Sequence, residues 1–222
     1  MVVVLQRRVP PLVVVLIAAV FVTSLVAALD ARAGGALYDH LALVPMHVWR
    51  GQVWRLVTWV LVERSPVSLL FAAIALYRFG GDLVLAWGQG RFGRFVAAIV
   101  LIAGVGTAVL ALPLGPAWWF PHLGGTALAD AVVIAWALQF PEARIRVYQV
   151  IEVGGPLLAY GTLGLTVLFA AYYGIAWFLP ELLAGVAALA YMNGALPRSW
   201  PGPWRRGDGA TGGRYGDPHG PN

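Results

Sequence analysis

The chain has 222 residues, of which 60% are hydrophobic and only 11% are charged, whereas soluble domains are about half apolar and a quarter charged. Together with a mean hydropathy of +0.76, this composition excludes a cytosolic enzyme and indicates a protein that lies in a bilayer. The chain contains no cysteine, which excludes disulfide bonds, a thiolate nucleophile and thiolate-held zinc or iron–sulfur sites.

The net charge is +5 and the pI is about 10.0, but every basic residue is an arginine and most stand at the ends of apolar runs. This placement is typical of charges that orient membrane helices. No basic run is interleaved with aromatic residues in a polar segment, so nucleic acid is not an expected partner. We also expect no cofactor and no metal, because the phosphate-loop and HExxH motifs are absent and the histidines are scattered.

The first predicted span runs from Pro11 to Leu29 and contains no charge. Arg7 and Arg8 precede it, which favours a cytoplasmic N-terminus. A cleavable signal peptide is the alternative, because small residues such as Ala31 follow the apolar run.

Residues 30–65 mix charge with apolar residues and are expected to lie at the membrane interface. Trp49, Arg50, Trp54 and Arg55 alternate with apolar positions there. Tryptophan and arginine each combine an apolar body with a polar end, which suits the headgroup region. The sequence therefore predicts an interfacial first loop.

Five further spans follow, which gives an all-α integral membrane protein with six transmembrane helices. The second span, Pro66 to Trp87, contains Arg78 and Asp82 four residues apart, and a pair at this spacing lowers the cost of both charges. Prolines and glycines divide the apolar sequence that follows into separate helices. The remaining spans are expected at about 95–112, 123–140, 155–173 and, beginning between 174 and 180, up to 193.

The chain is predicted to form one membrane domain over residues 1–195 and a disordered, Pro/Gly-rich cytoplasmic tail over residues 196–222. Most arginines fall on the same side as the N-terminus, so both termini are expected in the cytoplasm. Arginine used without any lysine suggests a GC-rich bacterial genome. We therefore expect a multi-pass protein of the bacterial cytoplasmic (inner) membrane.

The order of motifs resembles the rhomboid family of intramembrane serine proteases over about residues 45–195. GQVWRLVTWVLVE resembles the first loop of that family, with its Trp-Arg motif at Trp54 and Arg55, and Phe79 and Gly80 match the Phe-Gly turn of the second helix. GRFGRFVAAIVLIAGVG resembles the third helix, GGTALADAVVIAWALQFPEARI the fourth, and LLAGVAALAYMNG the last. The resemblance implies a six-helix rhomboid-like bundle.

The match fails at the residues that rhomboid chemistry requires. Thr126, within GGTA, stands where the family has its nucleophilic serine, and Phe178 stands where it has the catalytic histidine. Ser68 and Ala72 replace the side chains that help to bind the oxyanion, and losing one such donor costs about 10²–10³ in rate. The resemblance therefore implies a pseudoprotease. One rescue is open, because His122 precedes Thr126 by four residues and a relocated pair would share a helix face.

Two acidic residues lie near these degenerate positions. Asp130 is the only charge in the fourth span, and Glu181 follows Phe178 by three residues. If the helices pack as in rhomboids, the two carboxyls face each other, one is expected to hold a proton, and they form a polar site for a client helix. Alternatively, Pro180 and Glu181 form an ordinary helix start, where proline and an acid are favoured.

The sequence thus predicts a catalytically inactive, rhomboid-like membrane protein that binds or scaffolds transmembrane partners. Its expected partners are membrane lipids and the transmembrane helices of clients or complex subunits. Two alternatives are an atypical intramembrane protease that uses Thr126 and an accessory subunit of a larger membrane complex.

Overall fold

The computed structural model describes residues 9–147 and 151–194. Within these residues, four helical segments are long and apolar enough to cross a membrane. They are α1 (Pro11–Arg32), the segment Pro66–Trp87, α7 (Gln89–Leu110) and α9 (Gly155–Tyr173). Two shorter apolar helices, α8 (Gly125–Gln139) and α10 (Leu179–Met192), stand at the other two predicted positions. The prediction of a helical multi-pass membrane protein is confirmed. Of the six predicted spans, four correspond to described helices that are long enough to cross a membrane.

The segment Pro66–Trp87 is one helix interrupted by a π-helical turn. It consists of α5 (Pro66–Ala75), the turn at Leu76–Gly80 and α6 (Gly81–Trp87). The Ser65 hydroxyl accepts a hydrogen bond from the Ser68 N–H at 3.4 Å, and Pro66 occupies the first turn, as expected for a helix start. Gly88 ends the segment with φ of +81°, a conformation that favours glycine.

Four short helical pieces make up the first loop. They are α2 (Leu37–Leu41), α3 (Pro45–Trp49), α4 (Arg55–Thr58) and a 3₁₀ turn at Trp59–Leu61. The Trp49 indole N–H donates to the Ala108 carbonyl of α7 at 3.0 Å. The loop therefore lies folded against the bundle.

Arg55 is a buried structural residue of this loop, although we expected it at the headgroups. Its side chain is 4% exposed. The guanidinium donates to the Asp39 carbonyl, to the Ala42 carbonyl at 2.6 Å and to the Gln52 side-chain oxygen at 2.6 Å. Carbonyls that face the loop interior supply these acceptors, so Arg55 fixes the loop from within. Trp54, in contrast, is 50% exposed, as an interfacial side chain would be.

The helix α8 is the centre of the bundle. It packs against α5, α9 and α10, and within it only Thr126, Asp130 and Leu138 are not buried. A helix that is apolar all round belongs in such a central place. Because Thr126 and Asp130 are four residues apart, they share the one face that α8 leaves open.

One element departs from the all-α expectation. Residues Arg144–Val147 (β1) and Ile151–Gly154 (β2) form an antiparallel pair, with Arg144 opposite Gly154. The sequence RIRV alternates charged and apolar residues with the period of a strand, a signal that the helix-based prediction overlooked. The predicted tail, residues 196–222, lies outside the described residues.

Candidate functional site

A cavity of about 570 Å³ opens between α5 and α9. The helix α8 and the start of α10 form its inner wall, and apolar side chains at its mouth, such as Val67, Leu165 and Tyr173, are exposed. The cavity therefore opens sideways from the bundle. Its lining consists of Val67, Ser68, Phe71, Thr126, Asp130, Thr162, Leu165, Thr166, Phe169, Tyr173, Phe178 and Glu181.

The structure brings five of the six degenerate and acidic positions predicted from the sequence to this cavity. Thr126, Asp130, Ser68, Phe178 and Glu181 all line it, although they come from three helices and one loop end. Ala72 is the exception. It is buried and packs with Ala75, Ala129 and Val133 in the contact between α5 and α8.

Glu63 is a neighbour of Thr126 that the sequence analysis missed. Its Oε1 atom accepts a hydrogen bond from the Thr126 N–H and another from the Thr126 hydroxyl, both at 2.6 Å. The backbone N–H of Glu63 donates to the Ser24 hydroxyl at 3.0 Å, which holds this residue against α1. An acid that accepts from the first N–H groups of a helix is favoured by the helix dipole. The sequence did contain a signal for this contact, since Glu63 is the acid that ends the motif GQVWRLVTWVLVE.

Two glycines make this contact possible. A Cβ at Gly125 would lie 2.9 Å from the Glu63 Cγ atom, and a Cβ at Gly124 would overlap the Trp59 ring. The Gly124 N–H donates to the Trp59 carbonyl at 2.9 Å. The GG that precedes Thr126 therefore lets the loop end approach the N-terminus of α8.

Burial sets the charge properties of Glu63. The residue is 8% exposed, and this desolvation raises the pKa of its carboxyl, while the two hydrogen bonds from Thr126 act in the opposite direction. Desolvation is the larger effect. The Thr126 hydroxyl thus donates to a carboxyl that binds a proton more readily than a free glutamate.

His122 does not pair with Thr126. It exchanges two backbone hydrogen bonds of 2.9 Å with Leu43, which places it under the first loop. The side chain is 4% exposed, and its Nε2 atom has no hydrogen-bond partner among residues 9–147 and 151–194. Burial lowers the pKa of His122 to about 4, and a hydrogen bond with the Trp177 backbone opposes that shift. A buried, neutral imidazole joined to the loop is not positioned as the base of a relocated pair.

Phe178 contributes an aromatic wall. Its ring lies 6.0 Å from that of Phe169 and 6.3 Å from that of Tyr173, measured between centroids. These rings form one side of the cavity near its mouth. A phenylalanine ring has no group that accepts a proton, so Phe178 contributes packing to the cavity.

Asp130 and Glu181 lie close enough to interact electrostatically with each other. Both are half-buried, and the Oε2 atom of Glu181 is buried without a hydrogen-bond partner in the described part of the chain. Pro180 and Glu181 also occupy the first turn of α10. The geometry is therefore compatible with a helix start and with a polar site at once.

The predicted pair of Arg78 and Asp82 forms at 2.9 Å, away from this cavity. Asp82 also accepts a hydrogen bond from the Trp136 indole at 2.8 Å, which connects α6 to α8.

No group of three His, Asp or Glu side chains in the described ranges has an arrangement that could hold a metal ion. The cavity is thus an acidic, hydroxyl-bearing pocket built from protein side chains.

The chain is similar to a known family of membrane proteins and to a plant protein. The family described as "Eukaryotic integral membrane protein (DUF1751)" matches residues 13–200. Derlin-1 of Arabidopsis thaliana is 27% identical over 155 residues, which cover 68% of this chain and 54% of that relative. The chain therefore spans about half the length of the curated relative that it matches.

These matches correct the predicted location. The family is described as eukaryotic and the relative is a plant protein, so the prediction of a bacterial inner membrane is wrong. That prediction rested on the use of arginine without any lysine. A preference for arginine describes amino-acid composition and does not determine the organism or the membrane in which a protein lies. The two termini, which we expected in the cytoplasm, lie outside the described residues.

Proposed function

The chain belongs to the DUF1751 family of eukaryotic integral membrane proteins, and from this we propose that it is a rhomboid-like membrane protein without peptidase activity that binds transmembrane segments of other proteins. The binding site is the side-opening pocket between α5 and α9. The match to Derlin-1 supports this proposal, since Derlins are rhomboid-like pseudoproteases. The observation that carries it is the cavity itself, which opens sideways from the bundle and is lined by Thr126, Asp130 and Phe178.

The arrangement around Thr126 supports the loss of hydrolysis. A nucleophilic hydroxyl needs a base within hydrogen-bond reach and donors for the oxyanion. The resemblance aligns Phe178 with the catalytic histidine, and this phenylalanine ring lines the pocket without any group that accepts a proton. Ala72 is buried in a helix contact and carries no polar group. We therefore propose that the pocket binds a segment without cleaving it.

In this proposal all six apolar helices cross the membrane. The helix α8 has 15 residues and α10 has 14, which corresponds to roughly 22 Å of helix at 1.5 Å per residue. Such short helices serve inside a bundle because neighbouring helices cover most of their surface. The first loop, with its exposed Trp49, Val53 and Trp54, would lie in the interface beside the pocket and anchor the bundle.

Site-specific photocrosslinking tests this function. The full-length protein in lipid nanodiscs would carry a photoreactive residue at Leu165, on the pocket wall, or at Leu101, an exposed position on α7. We expect a single-span test peptide to crosslink from Leu165 and not from Leu101. Equal crosslinking at both positions would show nonspecific lipid-phase contact and would contradict the proposal.

A second candidate function follows from the Glu63 contact. The Glu63 carboxylate, 2.6 Å from the Thr126 hydroxyl, can accept its proton, and this contact favours an atypical threonine protease as the alternative. The test is incubation of the purified protein with a labelled single-span substrate, beside the Thr126→Val variant. We expect no cleavage by either. Cleavage that disappears in Thr126→Val would replace the binding proposal with the enzymatic one.

A further inference from the structure

The hydrogen-bonding character of the pocket points to a particular kind of occupant. Three threonine hydroxyls line it, and each already donates its proton elsewhere. Thr162 donates to the Leu158 carbonyl at 2.9 Å, Thr166 to the Thr162 carbonyl at 3.0 Å, and Thr126 to Glu63 at 2.6 Å. Their oxygens therefore remain in the pocket as acceptors.

Both charged groups of the lining are also acceptors when ionised. Asp130 and Glu181 supply four carboxyl oxygens, and no arginine or lysine lines the cavity. Neither residue forms an ion pair with a described side chain, and Oε2 of Glu181 is buried without a hydrogen-bond partner there. Only Ser68 and Tyr173 have hydroxyls that can turn to donate. The pocket is thus rich in acceptors and poor in donors.

Lysine and arginine are the complementary side chains, because they carry three and five N–H donors and no acceptor. Burial in a low-dielectric site leaves the two carboxyls uncompensated, and a cation at the same depth compensates them. A cavity of about 570 Å³ holds a few side chains and not a whole helix. A long basic side chain can enter it while its own helix remains at the mouth between α5 and α9.

We infer that the pocket selects transmembrane helices that carry a lysine or arginine at the depth of Asp130 and Glu181, and that these two carboxyls bind the cation. This inference rests on the proposed function, since it names the class of segment that the pocket binds. Apolar helices remain weaker occupants, because they pack against the aromatic side formed by Phe169, Tyr173 and Phe178 without satisfying the acceptors.

Binding of matched peptides to the full-length protein tests the inference. The peptides are single-span Leu/Ala helices that differ only in a central Lys, Arg, Gln or Leu, and the nanodiscs contain phosphatidylcholine alone, so that lipid charge does not attract the basic peptides. We expect the Lys and Arg peptides to bind about tenfold or more tightly than the Leu peptide, with the Gln peptide between them.

Variants assign the preference to the pocket. The combined Asp130→Asn and Glu181→Gln change should reduce the advantage of the Lys peptide to about threefold or less, since the acceptor charge is gone. Glu142→Gln, at an exposed acid outside the pocket, is the matched control and should keep the full advantage. If the combined variant does not fold, Thr162→Lys supplies an internal cation on the pocket wall and should remove the preference by itself.

The outcomes separate this inference from the function on which it rests. If all peptides bind the unmodified protein equally, the pocket binds helices without selecting basic ones, and the inference is wrong while the proposed function stands. If the Lys preference persists in both pocket variants, the cation binds elsewhere and the inference is also wrong. If no peptide binds, the proposed function and the inference are wrong together.

Discussion

Glu63 and Thr126 connect the first loop to the central helix, because one carboxyl oxygen accepts both the backbone N–H and the hydroxyl of the threonine at 2.6 Å. The contact satisfies one of the free N–H groups in the first turn of α8 and places an acid at the positive end of the helix dipole. Glu63 also accepts the proton of the hydroxyl that the resemblance aligns with a nucleophile. One glutamate thus joins the first loop to α8 and fixes the direction in which the Thr126 hydroxyl points.

Replacing Glu63 should separate these effects. Glu63→Ala leaves the Thr126 N–H and hydroxyl without an acceptor, and we expect a loss of about 1–3 kcal/mol in stability. Glu63→Gln retains a side-chain oxygen and should lose clearly less. Thermal unfolding in detergent, followed by tryptophan fluorescence, measures both variants. Equal losses for Ala and Gln would mean that charge, and not hydrogen bonding, holds the contact.

His122 gives the protein a pH-dependent stability. Burial lowers its pKa from 6.5 to about 4, so the folded state binds fewer protons than the unfolded state between these values. The contribution of neutral His122 to the free energy of unfolding is therefore fully present above pH 6.5, and it is lost as the pH falls toward 4. Between pH 7 and pH 5 the loss should be about 2 kcal/mol, at 1.36 kcal/mol per pH unit.

The matched comparison for His122 is His122→Gln, measured over the same pH range. It is needed because the raised pKa of Glu63 acts in the opposite direction, so that protonation of Glu63 favours the folded state as the pH falls. The difference in stability between the unmodified protein and His122→Gln should shrink on acidification. A constant difference from pH 7 to pH 5 would exclude His122 as the titrating group.

Much of the candidate site could be predicted from the sequence. The order of the motifs assigned residues to particular helices, and their spacing assigned them to a face of each helix. Thr126 and Asp130 share a face of α8 by their spacing. The resemblance placed Phe178 and Glu181 at the last helix, where Phe178 directly precedes α10 and Glu181 lies in its first turn. Glu63 could not be placed in this way. It reaches Thr126 across 63 positions of chain, and only the folded loop brings the two residues together. The same limit applies to His122, which its spacing would place on one helix face with Thr126 and which the fold instead joins to Leu43 of the first loop.

Arg55 should be essential for the shape of the first loop. Arg55→Lys keeps the positive charge but cannot donate in a fork to Asp39, Ala42 and Gln52, so we expect a loss of at least about 2 kcal/mol. Arg50→Lys, on an exposed residue of the same loop, is the control and should change stability by less than about 0.5 kcal/mol. If the two variants unfold alike, charge alone accounts for Arg55.

The helix boundaries were predictable because proline, glycine and the length of apolar runs decide where a membrane helix begins and ends. The segments Pro66–Trp87 and Gly155–Tyr173 match their predicted bounds. The hairpin of β1 and β2 was missed because its charged, alternating residues were assigned to a loop between spans. The packing contacts of the glycines could not be predicted from the sequence either. The spacing of glycines does not distinguish one that lies in a helix contact from one that faces open space.

Two glycines on different helices test that distinction. A Cβ at Gly104 would lie 2.7 Å from the backbone oxygen of Leu56, whereas a Cβ at Gly161 would have no neighbour within 4 Å. Gly104→Ala must therefore push α7 away from the first loop, at a cost of about 1–3 kcal/mol. Gly161→Ala meets no obstacle and should stabilise α9 by about 0.5–1 kcal/mol, because alanine loses less backbone entropy. Thermal unfolding of the two variants gives shifts of opposite sign. A loss of stability in both would mean that Gly161 also lies in a close contact, and the packing described for α9 would be wrong.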